Sequence, residues 1–341
     1  MNVDLSRATS LLIVKPSSLG DVVHTIPAAS LISSAYPHLK IQWLVNPEWA
    51  PLIDELPWLS ATIPFPRSRF RGIGGPRKLL SWRNEFSELL GSPPDVTLDF
   101  QGLLRSGLAS RWSRAPVRIG LSDSREGARF FHSEVVTVDP QAHAVDRYLN
   151  MVRALGIEIP HELPWELPAG TPIPDECLSN TSPARAIVLH PFSRGDGKSL
   201  TRDQIVRFCN ACADVPVILV GRSESVNGLP LNTCDLTNRT SLQELVWLMR
   251  RAGWIVSVDS GPMHIAAAAS PRVLGIHTWS DPCKVGPYRP EAWIYKGGHI
   301  FHRSDCPATL RNAHCRITNS DIDKIADFTL ANVASNPLRN A

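Results

Sequence analysis

Trp254-Ile-Val-Ser-Val-Asp-Ser-Gly-Pro-Met-His264 reads as a strand that ends on a carboxylate, turns within two residues and opens a helix. The apolar run to Val258 gives the strand and Ser260-Gly261 the tight turn, while Pro262 sits where a helix start tolerates a residue without an N–H. The backbone amides from Ser260 to Met263 then face out of a helix amino terminus, where the dipole favours an anion such as a diphosphate. His264 lies one turn inside, within reach of the same anion; a core histidine is the alternative reading.

The same order of strand, turn and helix recurs on both sides of this stretch. The clearest strands are Leu11 to Lys15, Ile41 to Val45, Val96 to Phe100, Ala186 to His190, Val215 to Val220 and Val273 to His277. Thr201-Arg-Asp-Gln204, Ser241-Leu-Gln-Glu244 and Ser320-Asp-Ile-Asp323 each set an oxygen-bearing cap three residues before Gln, Glu or Asp, and so mark helix starts. This is the rhythm of βα units around a parallel sheet. Between Pro160 and Pro183 six prolines interrupt both periodicities, which places a linker there. At 341 residues the chain suits two domains. The expected class is therefore α/β, with two Rossmann-like domains over 1–165 and 166–318, and a final helix in 319–341 free to cross back to the first domain.

Composition narrows the function. With 43% hydrophobic and 20% charged residues the chain can bury a full core, and its apolar runs fall far short of the roughly 20 residues that span a bilayer. Asp4 and the polar stretch from Ser6 to Ser10 stand where a secretory signal needs a basic flank and an apolar core, so a soluble, cytoplasmic protein is expected. Seven scattered cysteines read as reduced thiols. A net charge of +3 argues against nucleic acid as partner. It is unevenly spread, however: Arg67 to Arg129 holds twelve Lys/Arg against six Asp/Glu, which suits an anionic partner or a solvated face.

Two further strand ends carry candidate chemistry. Lys15-Pro-Ser-Ser-Leu-Gly-Asp21 follows the first strand; Ser18 and Asp21 have capping-box spacing, and a carboxylate at the carboxyl edge of a parallel sheet can also take a proton from a hydroxyl. His190-Pro-Phe-Ser-Arg-Gly-Asp-Gly-Lys198-Ser199 invites a P-loop reading, but Phe192 occupies the place of the required first glycine. What survives is a loop that presents Ser193 and Lys198 to a phosphate. The metal readings are weak: Cys209 and Cys212 have the spacing of a zinc knuckle but fall on a helix with no second pair, His302, Cys306, His314 and Cys315 form a looser set in a loop, and no metal is expected.

Taken together with Asp99-Phe-Gln-Gly-Leu-Leu-Arg-Ser106, Ser124-Arg-Glu-Gly-Ala-Arg129 and His143-Ala-Val-Asp-Arg147, these motifs resemble, in order and over nearly the whole chain, the lipopolysaccharide heptosyltransferases of glycosyltransferase family 9, the heptosyltransferase I type above all. The resemblance implies a GT-B fold, its two domains facing across a cleft, and an inverting transfer of a heptose from a nucleotide-diphosphate sugar, ADP-heptose in the family. It assigns Asp21 as general base and Lys198 to the donor diphosphate. Ser193, Asp259, Ser260, Gly261 and His264 would complete the donor site, with Glu224 on the ribose and Thr240 at the adenine. Ser18, Gly20, Gln101, Arg105 and Arg125 fall to the acceptor, an anionic glycolipid, which would bring the protein to the inner face of the inner membrane. No cofactor is implied beyond the nucleotide sugar. The loop from His190 to Lys198 is one residue longer than the family's usual form, and Pro282 to Pro307 departs from it. Another nucleotide sugar or glycan acceptor, or a non-catalytic sugar-nucleotide-binding module, are the competing readings.

Overall fold

The computed structural model describes residues 5–70, 72, 74–179 and 181–334, and the chain divides into two compact units, Met1–Pro168 and Ala169–Ala341. The first holds strands β1 (Ser10–Val14), β2 (Lys40–Val45), β3 (Leu59–Pro64), β4 (Val96–Asp99), β5 (Val117–Leu121) and β6 (Glu134–Val136), with helices α1 (Leu19–Ala35), α2 (Gly75–Leu90), α3 (Leu104–Trp112) and α4 (Ala144–Ala154). Its sheet is parallel throughout, in the order β3-β2-β1-β4-β5-β6. The chain therefore winds outward from β1, returns, and winds outward the other way from β4. The crevice beyond the carboxyl ends of β1 and β4 is the switch point at which such sheets bind ligands.

β1 from Leu11 onward and the whole of β4 are buried on both faces, as central strands are, although β4 puts Thr97 and Asp99 on one of them. Of the strands not read from sequence, β3 and β6 lie at the edges of this sheet, where exposed residues break the apolar run that announces a buried strand, and the interior β5 opens on the half-buried Val117 and Arg118. An aromatic cluster of Phe65, Phe70, Trp82 and Phe86 fills the space under α2, with ring centroids 4.9–5.7 Å apart. Near its end this unit is tied down by the Trp58 indole, which donates to Glu166 at 2.5 Å.

The second unit contains β7 (Ile187–His190), β8 (Val217–Leu219), β9 (Thr233–Asp235), β10 (Trp254–Val258), β11 (Val273–Ile276), β12 (Trp293–Lys296) and β13 (His299–His302). Its helices are α5 (Arg202–Ala211), α6 (Leu242–Arg251), α7 (Gly261–Ala269), α8 (Pro282–Val285), α9 (Ala308–Arg311) and α10 (Asn319–Ala334). The sheet order β13-β12-β11-β10-β7-β8-β9 is parallel except for the last hairpin, and its switch point lies between β7 and β10. In the β12–β13 hairpin Lys296 pairs with His299 across Gly297 and Gly298, both at positive φ, which is the geometry that makes a two-residue turn favour Gly-Gly.

Two of the expected helix caps form reciprocally. Gln204 and Thr201 exchange bonds of 3.3 and 2.9 Å, and Glu244 and Ser241 bonds of 3.2 and 2.8 Å. The third is displaced. Thr318 caps α10 by exchange with Asp321 at 2.7 and 3.3 Å, and Ser320 lies inside the helix. Asp323 is drawn off to Arg207 on α5, which reaches both its oxygens at 2.6 Å.

Nor does the described part of α10 belong to the first unit. It lies along α5 and β10, buries Ile322, Ile325 and Ala326 in the second core, and sets Phe328 against Trp293 and Trp254 at 5.1 and 6.3 Å. Its apolar stripe is satisfied there; residues 335–341 lie outside the described ones. Among the described residues no helix is long and apolar enough to cross a membrane.

Candidate active site

In the first unit, Asp21 occupies the first turn of α1, at the β1 side of the switch point. Its Oδ2 accepts the Ser18 N–H at 2.9 Å and the Ser18 hydroxyl at 2.7 Å, so it does close the helix start. Its Oδ1 faces inward, 3.4 Å from the Tyr148 hydroxyl on α4 and 3.9 Å from Lys15 Nζ. The side chain remains 36% exposed. A carboxylate that caps a helix yet keeps a third of its surface open can also meet a ligand.

The β4 side is organised by Asp99, which is wholly buried. Its Oδ1 accepts the N–H groups of Gln101 and Gly102 at 2.9 and 3.0 Å; its Oδ2 meets the Ser106 hydroxyl at 2.8 Å and His132 Nε2 at 3.0 Å. The resulting loop brings Gln101 Oε1 to the Ser17 N–H at 3.1 Å, across the switch point. Gly102 has φ +64°, and a Cβ there would lie 2.9 Å from Ser124 Oγ, so only glycine lets this loop press on the next. The Arg125 N–H donates to Gly102 O at 2.7 Å.

Of the acceptor candidates, Ser18, Gly20 and Gln101 thus gather with Asp21 around the switch point, and Arg125 adjoins through its backbone. Arg105 opens α3 half-buried, and the Arg125 side chain is exposed. The tyrosine was missed by one residue: Tyr148 directly follows the His143 to Arg147 segment.

In the second unit, Lys198 Nζ donates to Asp259 Oδ2 at 2.5 Å and lies 4.2 Å above the Trp279 ring. The Ser280 hydroxyl donates to the same carboxylate oxygen at 2.6 Å, and the Ser193 hydroxyl reaches Asp259 O at 3.3 Å. Burial pushes Asp259 upward, but His277, Lys198 and Ser280 outweigh it and hold the carboxyl at about 2. His277 is wholly buried, which brings it down to about 4, so above that pH Lys198 is the cation that matters. Trp279 and Ser280 were not read from sequence; they lie just past the end of β11, where the strand-end rule would have found them.

Ser260 caps α7 and directs its hydroxyl to Val258 O at 3.0 Å, with His190 Nδ1 3.3 Å away. The Met263 N–H is taken by Ser260 O at 3.1 Å and Pro262 has none, which narrows the amide donors of the turn to Ser260 and Gly261. His264 is buried within the first turn of α7. Glu224 and Thr240 follow β8 and β9 on the same carboxyl edge, exposed and half-buried respectively. Gly221 roots the Glu224 loop at φ +130°, where a Cβ would stand 2.6 Å from Phe192.

The cysteine and histidine sets are dispersed. Burial pushes the thiols of Cys209 and Cys212 up to about 11 and about 12, and the backbone carbonyls of both accept from Asn232. His302 lies tilted against Trp293, while His314 stacks on Trp279. Among the described residues no three His, Cys, Asp or Glu side chains are grouped to hold a metal ion.

Comparison with known proteins gives the fold and the family. The lipopolysaccharide heptosyltransferase 1 of Salmonella typhimurium is 27% identical over 297 residues, 82% of this chain and 91% of that protein. A family 9 glycosyl transferase from Veillonella parvula superimposes with a TM-score of 0.75 at 18% identity, over 97% of this chain and 99% of that one. The E. coli heptosyltransferase WaaC with ADP does so with 0.72 at 22% identity, over 94% and 99%, which places both units in the GT-B class. The family pattern for "Glycosyltransferase family 9 (heptosyltransferase)" matches residues 84–309, from α2 to α9, and the chain belongs to that family of glycosyltransferases.

Proposed function

We propose that this enzyme transfers a heptose from ADP-heptose to a lipopolysaccharide core acceptor, with inversion and without a metal ion. The observation that carries this reading is the pairing of chemistries at the two switch points: a partly open carboxylate, Asp21, in one unit, and a cation, Lys198, held beside a helix amino terminus in the other. Asp21 takes the proton of the acceptor hydroxyl as its oxygen attacks the anomeric carbon. Lys198 and the Ser260–Gly261 amides meet the charge that develops on the leaving diphosphate; such fixed donors act on rate because the charge is largest in the transition state. Glu224 and Thr240 are assigned to the ribose and the base. A glycolipid acceptor implies work at the inner face of the inner membrane, from the cytoplasm.

The heptose and lipopolysaccharide parts rest on the names of the relatives, the proton transfer on the geometry of Asp21. Purified protein offered a panel of nucleotide sugars, with and without a lipopolysaccharide-core acceptor, tests the first by mass spectrometry of products. A product from another sugar would replace ADP-heptose, and binding without product would leave only a sugar-nucleotide module. Asp21→Asn tests the second. It keeps size and much of the capping, so a structural role costs about 1 kcal/mol with near-normal turnover. A base predicts a loss of about 10²- to 10⁴-fold with donor affinity intact.

A further inference from the structure

Lys15 has no part in the reaction as described, yet it is placed with care. It follows β1, is buried, and donates from Nζ to Phe100 O at 2.9 Å and to the Tyr148 hydroxyl at 2.6 Å. Its ammonium also lies 4.7 Å from the centre of the Tyr148 ring, which stands edge-on to Phe100. From that anchorage Nζ stands 3.9 Å from Asp21 Oδ1, and the Tyr148 hydroxyl points at the same oxygen from 3.4 Å. Ser18 meanwhile grips Oδ2. The carboxylate is thus held from both ends, and its plane is fixed.

A buried ammonium is costly unless a charge answers it. Burial lowers the Lys15 ammonium from its ordinary range, and Asp21 is the first of the charges that oppose this, ahead of Asp99 and Asp123, with Arg147 acting the other way. Burial likewise raises the Tyr148 phenol well above its ordinary range, Asp21 adding to the effect, so the phenol stays a donor throughout the neutral region. Tyr148 therefore keeps its proton while facing the carboxylate, and Asp21 is the charge that most opposes loss of the proton on Lys15.

We propose that Lys15 is a positioning residue for the transfer: directly and through Tyr148 it keeps Asp21 anionic and aligned for the acceptor hydroxyl. This rests on Asp21 being the base. In the step itself the hydroxyl proton passes to Asp21, the new carbon–oxygen bond forms, and the old one breaks with its electron pair on the diphosphate. Lys15 and Tyr148 lose nothing. The ammonium then favours return of the proton from Asp21 to water through the exposed side of the carboxyl.

The reading is the pH profile of kcat/KM for the acceptor in Lys15→Met, Tyr148→Phe and Lys15→Arg. Loss of a cation within about 4 Å should move the acid limb of Lys15→Met upward by about one pH unit or more. Tyr148→Phe should move it less and in the same direction, and Lys15→Arg should bring it back. The other titrating or charged groups on this face are Asp99, Asp123, Arg147, the His24–His143 ring pair on α1 and α4, and Arg67, which reaches Ser17 Oγ at 3.5 Å. All are intact in these variants. A lower melting temperature and a lower plateau with the limb unmoved would overturn the proposal and leave Lys15 as packing. Should Lys15→Met not fold, Tyr148→Phe removes only a hydroxyl and must still move the limb. Asp21→Asn, run alongside, separates the two ideas: near-normal turnover there sinks the base and this proposal with it, whereas collapsed turnover with an unmoved Lys15→Met limb sinks this proposal alone.

Discussion

Lys198 and Asp259 form a nearly buried ion pair at 2.5 Å, and the carboxylate oxygen they share is also held by Ser280 at 2.6 Å. A lysine assigned to the donor diphosphate is thus kept in place by a carboxylate that is not itself a phosphate ligand. Lys198→Met should leave that carboxylate buried without its cation, a change that costs about 3–5 kcal/mol in such pairs. It should also lower turnover by about 10²- to 10³-fold, the usual loss when one stabiliser of transition-state charge is removed. The double variant Lys198→Met/Asp259→Asn separates the two effects. Stability should recover, because no charge is stranded, while turnover should not. Recovery of both would show that the ammonium is structural only.

Two histidines at the carboxyl edge of the second sheet make stability depend on pH. Burial holds His190 at about 4, and His277 at about 4 even though Asp259 pulls it upward. In the unfolded chain both titrate near 6.5. Between those values the unfolded chain takes up protons that the native one refuses, so stability falls as pH falls from 6.5 towards 4, by roughly 3 kcal/mol per histidine. Asp259 adds a second loss at lower pH, since its depressed carboxyl stabilises above 3.8 and ceases to as pH drops towards about 2. Melting temperatures from pH 7.5 to 4.5 should slope downward on acidification, and His190→Gln and His277→Gln should each flatten part of the slope. A wild-type profile flat through this window would contradict the buried, neutral state of both rings.

If the Ser260–Gly261 turn and Lys198 carry the leaving diphosphate, chelation should leave turnover essentially unchanged. Activity lost on chelation and restored by a divalent or iron ion would end the metal-free reading and revive the His302 to Cys315 set.

How far the sequence could be read follows from burial. β1, β4, β7, β10 and β11 are buried on both faces and legible as mainly apolar runs; β3, β6 and β9 are edge strands, only partly buried, that no periodicity marks. Thr201 and Ser241 were legible as caps because Gln204 and Glu244 turn their side-chain oxygens back to the cap N–H groups, whereas Asp323 pairs with Arg207 and the third cap falls to Thr318. Within the site, residues on contiguous strand-to-helix turns, such as Asp21 and Ser260, declare themselves locally. Tyr148, Trp279 and His277 do not, since what places them beside Asp21 or Asp259 is a sheet order that brings together distant segments, 127 positions apart for Asp21 and Tyr148.

The basic stretch from Arg67 to Arg129 is less uniform as a surface than its sequence suggests. Arg69 pairs with Glu85 at 2.9 Å, and Arg118 is bound to the carbonyls of Phe131 and Ala115 at 2.8 and 2.6 Å; Arg71 lies outside the described residues. Arg125 and Arg129 are exposed and precede Phe130, which is 90% exposed on the turn Ala128–Phe131. Leu104, 41% exposed, adjoins through its N–H bond to Glu126 at 3.2 Å. Cations around an uncovered aromatic suit a phosphate-bearing lipid at a bilayer surface better than a solvated face alone. Arg125→Glu/Arg129→Glu should therefore raise the acceptor KM and flatten its dependence on salt, which screens exposed charges beyond about 8–10 Å, while donor affinity stays at the parent value. Phe130→Ser should weaken use of an acceptor embedded in anionic vesicles but not of the same acceptor stripped of its acyl chains. If the arginine variants keep the parent's acceptor KM across a salt series, the arginines are solvent-facing charge only; if Phe130→Ser affects both acceptor forms equally, the ring contacts the sugar and not the lipid.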